Sequence, residues 1–590
     1  MMLVSKITRW LLLNNHHKFV KKSCKQLKQI HGVILVHGLT HLEGLIIRNL
    51  TLIMKTSNFS SNNTHYLELM INQLKQPSAD IVSIIFAMRY FCKYSKFQQA
   101  FELYVKLQQY ISSPFIVSSA LKACGRLGYI NGGFMIHGQV YRYGFFPGDV
   151  YVETSLLGFY AKVDDMGSAR KVFDEMSVRN VVTWNTMIDG YLRCGDLEMA
   201  QGFFSGLVDK DVVSWNSMVS GYARRGDMEK ALRLFQEMPE RNASSWNAMI
   251  SGYVECGKLD LARRIYDSMD GRNSISCITM IGGYAKCGDV ESAREVFGEM
   301  GNKDYLLYNA MIACYAKNGR AKEALCLFVE MVQPNVNIQP DKMTLATVIS
   351  ACSQLGDLSF GSWVEEFYMK QMGITMDDHI CTALIDLYAK CGSIDKAFKL
   401  FHKLNTKDVV AYTAMILGCG INGKEQIAIK LFNEMMESNI RPNLVTFSGL
   451  LTALSHVGMV DESYHCFNSM KSYGLVPTPD HYSLMVEILG RAGRLVEAHN
   501  LIKDMPMQPH AGVWGALLLA CSTHNNVELG EIAAQHCFKL EADSSGYGSL
   551  LANIYASVGR WEDAKRLRKC IHEKGLVKVP GSSWMDNLQE

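Results

Sequence analysis

Val181–Gly195 reads VVTWNTMIDGYLRCG, and Val212–Gly226 reads VVSWNSMVSGYARRG. The two stretches lie 31 residues apart, and the step continues in both directions. Tyr191, Tyr222, Tyr253, Tyr284 and Tyr315 keep it, as do Gly195, Gly226, Gly257, Gly288 and Gly319. Two further columns run in register: Ala169, Ala200, Ala231, Ala262, Ala293 and Ala324, and Phe173, Phe204, Phe235, Tyr266, Phe297 and Phe328. Columns that stay in register over this many copies mark an internal repeat, and a repeat decides the fold before any local reading does.

Within one unit, the spacing of Val182, Trp184, Met187, Ile188 and Tyr191 predicts a helix with these residues on one face. Gly195 suits the positive φ that closes a helix, and Asp196 suits the N-cap of a second one. Leu197, Ala200, Phe203 and Phe204 form that second helix's apolar stripe, with Ala200 small enough for close approach. Each unit is therefore expected to be a helix–turn–helix hairpin. One hairpin cannot bury both stripes alone, so the expected fold is all-α: an α-solenoid superhelix of stacked hairpins. Further on the period stretches. Tyr305–Asp341 is 37 residues, Lys342–Asp377 is 36, Asp378–Asp408 is 31 and Val409–Asn443 is 35, the longer units closing on Pro340–Asp341 and Pro442–Asn443.

Composition agrees. At 590 residues the chain exceeds a single core, and 48% hydrophobic with 20% charged residues excludes disorder as its dominant state. Sixty Lys and Arg against 57 Asp and Glu leave a net charge of +3, so charge alone does not announce a nucleic-acid ligand. The 17 cysteines are odd in number and contain no Cys-x-x-Cys pair; Cys256, Cys287 and Cys391 precede glycines at equivalent repeat positions. They read as small apolar residues rather than metal ligands or disulfides. No apolar run reaches the roughly 18 residues of a membrane span. Before Glu43 there is no acidic residue, while Lys6, Arg9, Lys18, Lys21, Lys22, Lys25 and Lys28 surround Leu11, Leu12 and Leu13. This is the composition expected of an organelle transit peptide, and low serine favours a mitochondrial over a chloroplast address.

The units near 31, 35 and 36 residues, with VVTWNTMIDGY, VVSWNSMVSGY and YAKCG, resemble the plant PLS-class pentatricopeptide repeat proteins. His481–Pro509 is similar to the last repeat of such a tract. Val513–Glu531 and Ser549–Lys569 are similar to the two hairpins of the family's E-type extension, and Pro580, Gly581 and Trp584 to its closing motif, with Ser582 where the family often has Cys. A deaminase-like DYW domain can follow in related proteins; none is read here. The resemblance implies a transit peptide over 1–28, degenerate repeats over 29–149, five 31-residue repeats over 150–304, mixed repeats over 305–510, the extension over 511–578 and a tail over 579–590.

The same resemblance implies that each repeat reads one RNA base through the fifth residue of its first helix and the last residue of the unit. Thr154 with Asn180 implies A, and Asn185 with Asp211 implies U. Asn216 with Asn242 and Asn247 with Asn273 each imply C. Ile278 with Asp304 departs from the pattern, and Ala346 reads weakly. Asn309 with Asp341 implies U, Thr382 with Asp408 implies G, and Thr413 with Asn443 implies A. Val182, Val213, Ile275, Leu306 and Val410 at the second position are expected to pack against bases, whereas Trp184, Trp215 and Trp246 are expected in the interhelix core. The implied function is single-stranded RNA binding in an organelle, specifying C-to-U editing sites. A DYW-type deaminase and other editing cofactors would act in trans, with Pro580, Gly581 and Trp584 recruiting them. A splicing or stability factor and a protein-binding scaffold are the alternatives. No cofactor, metal, membrane or small-molecule substrate is implied.

Catalytic signals are weak. His41-Leu42-Glu43 supplies half of a zinc-deaminase signature, but no P-C-x-x-C completes it. Gly418–Lys424 resembles a phosphate loop, yet Glu425 stands where Ser or Thr should hold magnesium, and the segment is expected in a hairpin turn. No catalytic site is expected.

Overall fold

The computed structural model describes residues 81–107 and 113–573, apart from 335, 337, 372, 374, 375 and 542–544. The N-terminal segment through residue 80, with His41 and Glu43, lies outside the described residues, as do Pro580, Gly581 and Trp584. Thirty α-helices follow one another among the described residues, in the pairs that the period predicts. The chain divides into two compact units, one ending at Gly283 and the other beginning at Tyr284.

In the first unit, Val181–Cys194 pairs with Leu197–Gly206 and Val212–Arg224 with Met228–Glu237. Each first helix also packs on the first helix of the next pair, Val150–Lys162 on Val181–Cys194 and Val212–Arg224 on Ala243–Glu255. In the second unit, Lys342–Leu355, Asp378–Lys390, Val409–Ile421 and Leu444–Val457 pack in the same succession. Ala511–Thr523 with Val527–Leu540, and Ser545–Ser557 with Trp561–Glu573, form the last two hairpins. A seven-residue π-helix, Glu365–Gln371, extends the Leu358–Val364 helix, which the 36-residue period did not foreshadow.

The caps follow the sequence logic. Gly195 closes the first helix of its hairpin at φ 82°, and Asp196 accepts from the Met199 amide to open the second. Met187, Ile188, Tyr191, Ala200, Phe203 and Phe204 are buried, as the two stripes require. Val182 is not: it is 59% exposed, because a helix turns about 100° per residue and Thr183, fully buried, takes the inward place on that turn. A glycine column missing from the sequence reading, Gly190, Gly221, Gly252 and Gly283, also carries close packing. A Cβ at Gly221 would lie 2.4 Å from Leu192 Cδ2.

The phosphate-loop look-alike is corrected in the same terms. Gly418 and Gly420 belong to the Val409–Ile421 helix rather than to the turn. A Cβ on Gly418 would meet Ala389 Cβ at 2.3 Å, and one on Gly420 would meet the Gly449 carbonyl oxygen at 2.8 Å. These glycines let first helices touch. The cysteines are corrected too: Cys256 and Cys287 are exposed, so they do not pack as small apolar residues, although Cys352 and Cys419 do.

Candidate nucleic-acid interface

The last residue of each unit is the N-cap of the next unit's first helix. Asn180, Asp211, Asn242, Asp341, Asp408 and Asn443 each accept from the backbone amide three residues on. Asn273 accepts likewise from Ser276. A cap must present an acceptor inward, which fixes what remains outward. Asp keeps a carboxylate oxygen free, whereas Asn keeps an NH2 group free. Equivalent positions in successive units therefore offer opposite hydrogen-bonding groups.

The fifth residue of the preceding first helix lies beside this cap. Asn185 Nδ2 donates to Asp211 Oδ1 at 3.0 Å, and Asn216 Nδ2 donates to Asn242 Oδ1 at 3.2 Å. Asn309 and Asp341 meet at one hydroxyl: Thr344 Oγ1 donates to both, 2.8 Å from Asp341 Oδ1. Thr413 reaches Asn443 through Thr446, at 2.8 Å and then 3.0 Å. Three pairs are not joined this way: Thr154 with Asn180, Asn247 with Asn273 and Thr382 with Asp408. Thr154 Oγ1 turns back to the Val150 carbonyl and Thr382 Oγ1 to that of Asp378. Asn247 Oδ1 and Asn216 Oδ1 are buried without a partner. Asp304 caps its own helix through the Leu307 amide.

Burial pushes the Asp211 carboxyl up, but hydrogen bonds from the Ser214 hydroxyl and amide and from Asn185 outweigh it and hold it below the usual carboxylate range. Asp211 is thus an ionised acceptor at neutral pH.

Second-position residues form an exposed apolar column. Val182, Val213, Ile275, Leu306 and Val410 are all exposed, Val213 at 57% and Ile275 at 62%. Tyr151, Met343 and Val445 belong to the same column, which the register alone could have found. In the second unit, Met343, His379, Thr382, Asp408, Val410 and Thr413 line one groove of about 660 Å³.

The tryptophans lie where core packing puts them. Trp184 meets Phe173 edge-on at 5.0 Å, Trp215 meets Phe204 at 5.0 Å and Trp246 meets Phe235 at 4.9 Å. A basic column before each cap, which sequence reasoning missed, packs on those same phenylalanines: Arg179, Lys210, Arg241 and Lys303 sit 4.9–5.2 Å over Phe173, Phe204, Phe235 and Phe297. Arg179 Nε and Arg241 Nε also donate to the Phe173 and Phe235 carbonyls at 2.9 and 2.8 Å. Arg179 and Arg241 thereby close the second helices of their units. No group of three or more metal-ligating side chains occurs among the described residues.

Comparison with known proteins gives a consistent result. The PPR repeat model matches residues 154–181, 182–212, 213–242, 244–274, 275–305, 379–409 and 480–508. A PPR repeat family model matches 303–354 and 407–456, a pentatricopeptide repeat domain model 439–492, and an E motif model 524–586. The pentatricopeptide repeat-containing protein At4g22760 of Arabidopsis thaliana is 52% identical over 98% of this chain and 99% of its own length. Two further Arabidopsis thaliana relatives each align with 42% of this chain: mitochondrial At2g22410, 44% identical over 36% of its length, and chloroplastic DOT4, 42% identical over 28%. Among solved structures, the maize pentatricopeptide repeat protein PPR10 in complex with an 18-nt psaJ RNA element is 16% identical, with a TM-score of 0.46 over 96% of this chain and 99% of that one. The repeat pairs, their caps and the matches over almost the full length make this chain a member of the pentatricopeptide repeat family, bearing an E motif.

Proposed function

We propose that the chain is a sequence-specific single-stranded RNA-binding protein of an organelle, which specifies C-to-U editing sites and recruits a deaminase in trans. The observation that carries the reading is the Asn185–Asp211 pair, hydrogen-bonded at 3.0 Å with a carboxylate oxygen left free and Val182 and Val213 exposed beside it. Asn185 retains one N–H and Asp211 one acceptor oxygen. Uracil offers the complement on its pairing edge, a carbonyl acceptor and the N3–H donor. At Asn216 and Asn242 the outer group becomes an NH2 donor, which suits the N3 acceptor of cytosine. Stacking of bases between second-position side chains supplies affinity without choosing sequence. The E motif over 524–586 supports the editing role, and the basic N-terminus supports a mitochondrial address, with the chloroplast as the alternative.

Read parallel to the chain, the proposed target is 5′-A-U-C-C-n-U-n-G-A-3′. The test is binding of the purified full chain to a short RNA carrying this tract, with the C-C pair exchanged for G-G in the control. A second protein carries Asn216→Thr and Asn247→Thr. Tight binding that is lost on exchange, and partly recovered with purines by the variant, is the expected result. Equal binding to both RNAs would overturn the base-reading assignment and favour a protein-binding scaffold. For the editing step, plants lacking the chain should lose C-to-U conversion at one or a few cytidines. Unchanged editing with a splicing or abundance defect would overturn that part.

A further inference from the structure

Ser214 and its counterparts, third residues of the first helices, are absent from the base-reading set. They form a column of buried hydroxyls: Thr183, Ser214, Ser245, Ser276, Thr344 and Thr446. Every asparagine at the fifth position (Asn185, Asn216, Asn247 and Asn309) is followed, in the next unit, by a hydroxyl at the third. Of the fifth-position threonines, Thr154 and Thr413 are followed by Thr183 and Thr446, and Thr382 by Ala411.

For two of the four asparagines, Asn185 and Asn309, that hydroxyl reaches the amide oxygen. Ser214 Oγ lies 2.7 Å from Asn185 Oδ1 and 2.7 Å from Asp211 Oδ1, so its one proton serves two acceptors. Asn185 Nδ2 closes the triangle on Asp211 Oδ1. Both ends of the Asn185 amide are thereby occupied, and the amide cannot turn over. Thr344 forms the same bridge between Asn309 and Asp341, and Thr446 between Thr413 and Asn443. Ser245 and Ser276 serve the cap alone: Ser245 Oγ donates to Asn242 Oδ1 and Ser276 Oγ to the Asn273 carbonyl. Ala411 has no hydroxyl to offer, and the Thr382 hydroxyl turns to its own helix.

We propose that Ser214, Thr344 and Thr446 are positioning residues for base discrimination: each locks the fifth-position side chain of one repeat and the N-cap of the next into a single donor–acceptor orientation. This rests on the base-reading function proposed above. A free amide presents its oxygen or its NH2 with little preference and distinguishes U from C poorly; a locked one presents a single pattern. It follows that base exchanges opposite the three bridged pairs cost more affinity than exchanges opposite Thr154–Asn180 or Thr382–Asp408.

The experiment uses the full chain and four RNAs that differ only at the base facing Asn185 and Asp211. Ser214→Ala should lower the preference for U over C at that base by about tenfold, the equivalent of roughly 1.4 kcal/mol. Preference at the base facing Asn309 should stay unchanged. Ser214→Thr should restore discrimination, since threonine fills this position at Thr344 and Thr446. Circular dichroism and thermal unfolding identify a variant that fails to fold, in which case Thr344→Ser against Thr344→Val gives the same comparison in the second unit. A purely structural hydroxyl would lower the melting temperature and leave the base preference intact; that result overturns the inference while the base-reading function stands. Wild-type protein that shows no preference among the four RNAs overturns both.

Discussion

Asp211 and Asn242 occupy equivalent N-caps, and only their outward atoms differ. The inward oxygen is committed to the helix in each, so Asp211→Asn exchanges an acceptor for a donor and leaves the cap intact. Binding assays with paired RNAs should show the preferred base facing this site moving from U to C, with a change of about 1–3 kcal/mol in discrimination. Thermal stability should move little, because Asn and Asp cap about equally well. The second-position column separates affinity from stability even more cleanly. Val213 is 57% exposed and touches solvent, so Val213→Ala should alter unfolding by about 0.5 kcal/mol or less. The same variant should weaken RNA binding at every sequence tested, since a packing surface has no base preference. Equal affinity for RNA before and after truncation would remove this column from the interface.

At the scale of the element, the first helices are held by contacts that leave no room for a side chain. Gly418 faces Ala389, whose Cβ is rigid, and a new methyl 2.3 Å away forces two helices apart. Gly418→Ala should therefore destabilise the protein by about 1–3 kcal/mol, measured by chemical denaturation, despite alanine's higher helix propensity. Another helix carries a pH dependence. His481 takes the third-position place of the hydroxyl column: its Nδ1 accepts from the Thr478 amide at 3.2 Å, and its Nε2 lies 2.9 Å from the Leu444 carbonyl. Burial lowers its pKa below the ordinary 6.5, against smaller opposing effects of the Leu444 hydrogen bond and Asp480. The unfolded chain then binds a proton that the folded chain refuses, so stability is fully present above about 6.5 and is lost as pH falls below it. His481→Gln should flatten the stability profile between about pH 6.5 and the lowered folded pKa, as read by urea midpoints across that range.

For the whole molecule, a repeat array makes binding a sum of local readings. Substitutions in distant repeats share no side-chain partner, so Asp211→Asn and Asp341→Asn should add within about 0.5 kcal/mol when combined. The near-neutral charge has its own consequence. The basic column beneath each cap is engaged with phenylalanine rings and helix carbonyls, which leaves fewer cations for phosphates. Affinity for RNA should fall with salt, but with a shallow slope, about 0.7 of a decade in affinity per decade of salt for each phosphate neutralised. A steep slope, equivalent to six or more phosphate contacts, would mean that other cations, including those before residue 81, dominate binding.

The period of 31, the capping glycines and aspartates, the two apolar stripes and the all-helical pairing were legible without coordinates. They depend on helix geometry and on contacts that recur identically from one unit to the next, so each leaves a column in the sequence. The residues proposed to read bases were legible only as columns of Asn, Thr and Asp whose meaning came from a family resemblance. Tertiary structure decided which of them meet. Asn185 and Asp211 are 26 positions apart, and whether they touch depends on how one first helix docks on the next. Docking also placed Gly418 and Gly420 inside a helix contact and laid the Arg179 and Arg241 guanidinium groups over Phe173 and Phe235. Hydrophobic spacing specifies which side of a helix is buried; where a particular oxygen or amide ends depends on atoms contributed by the neighbouring repeat.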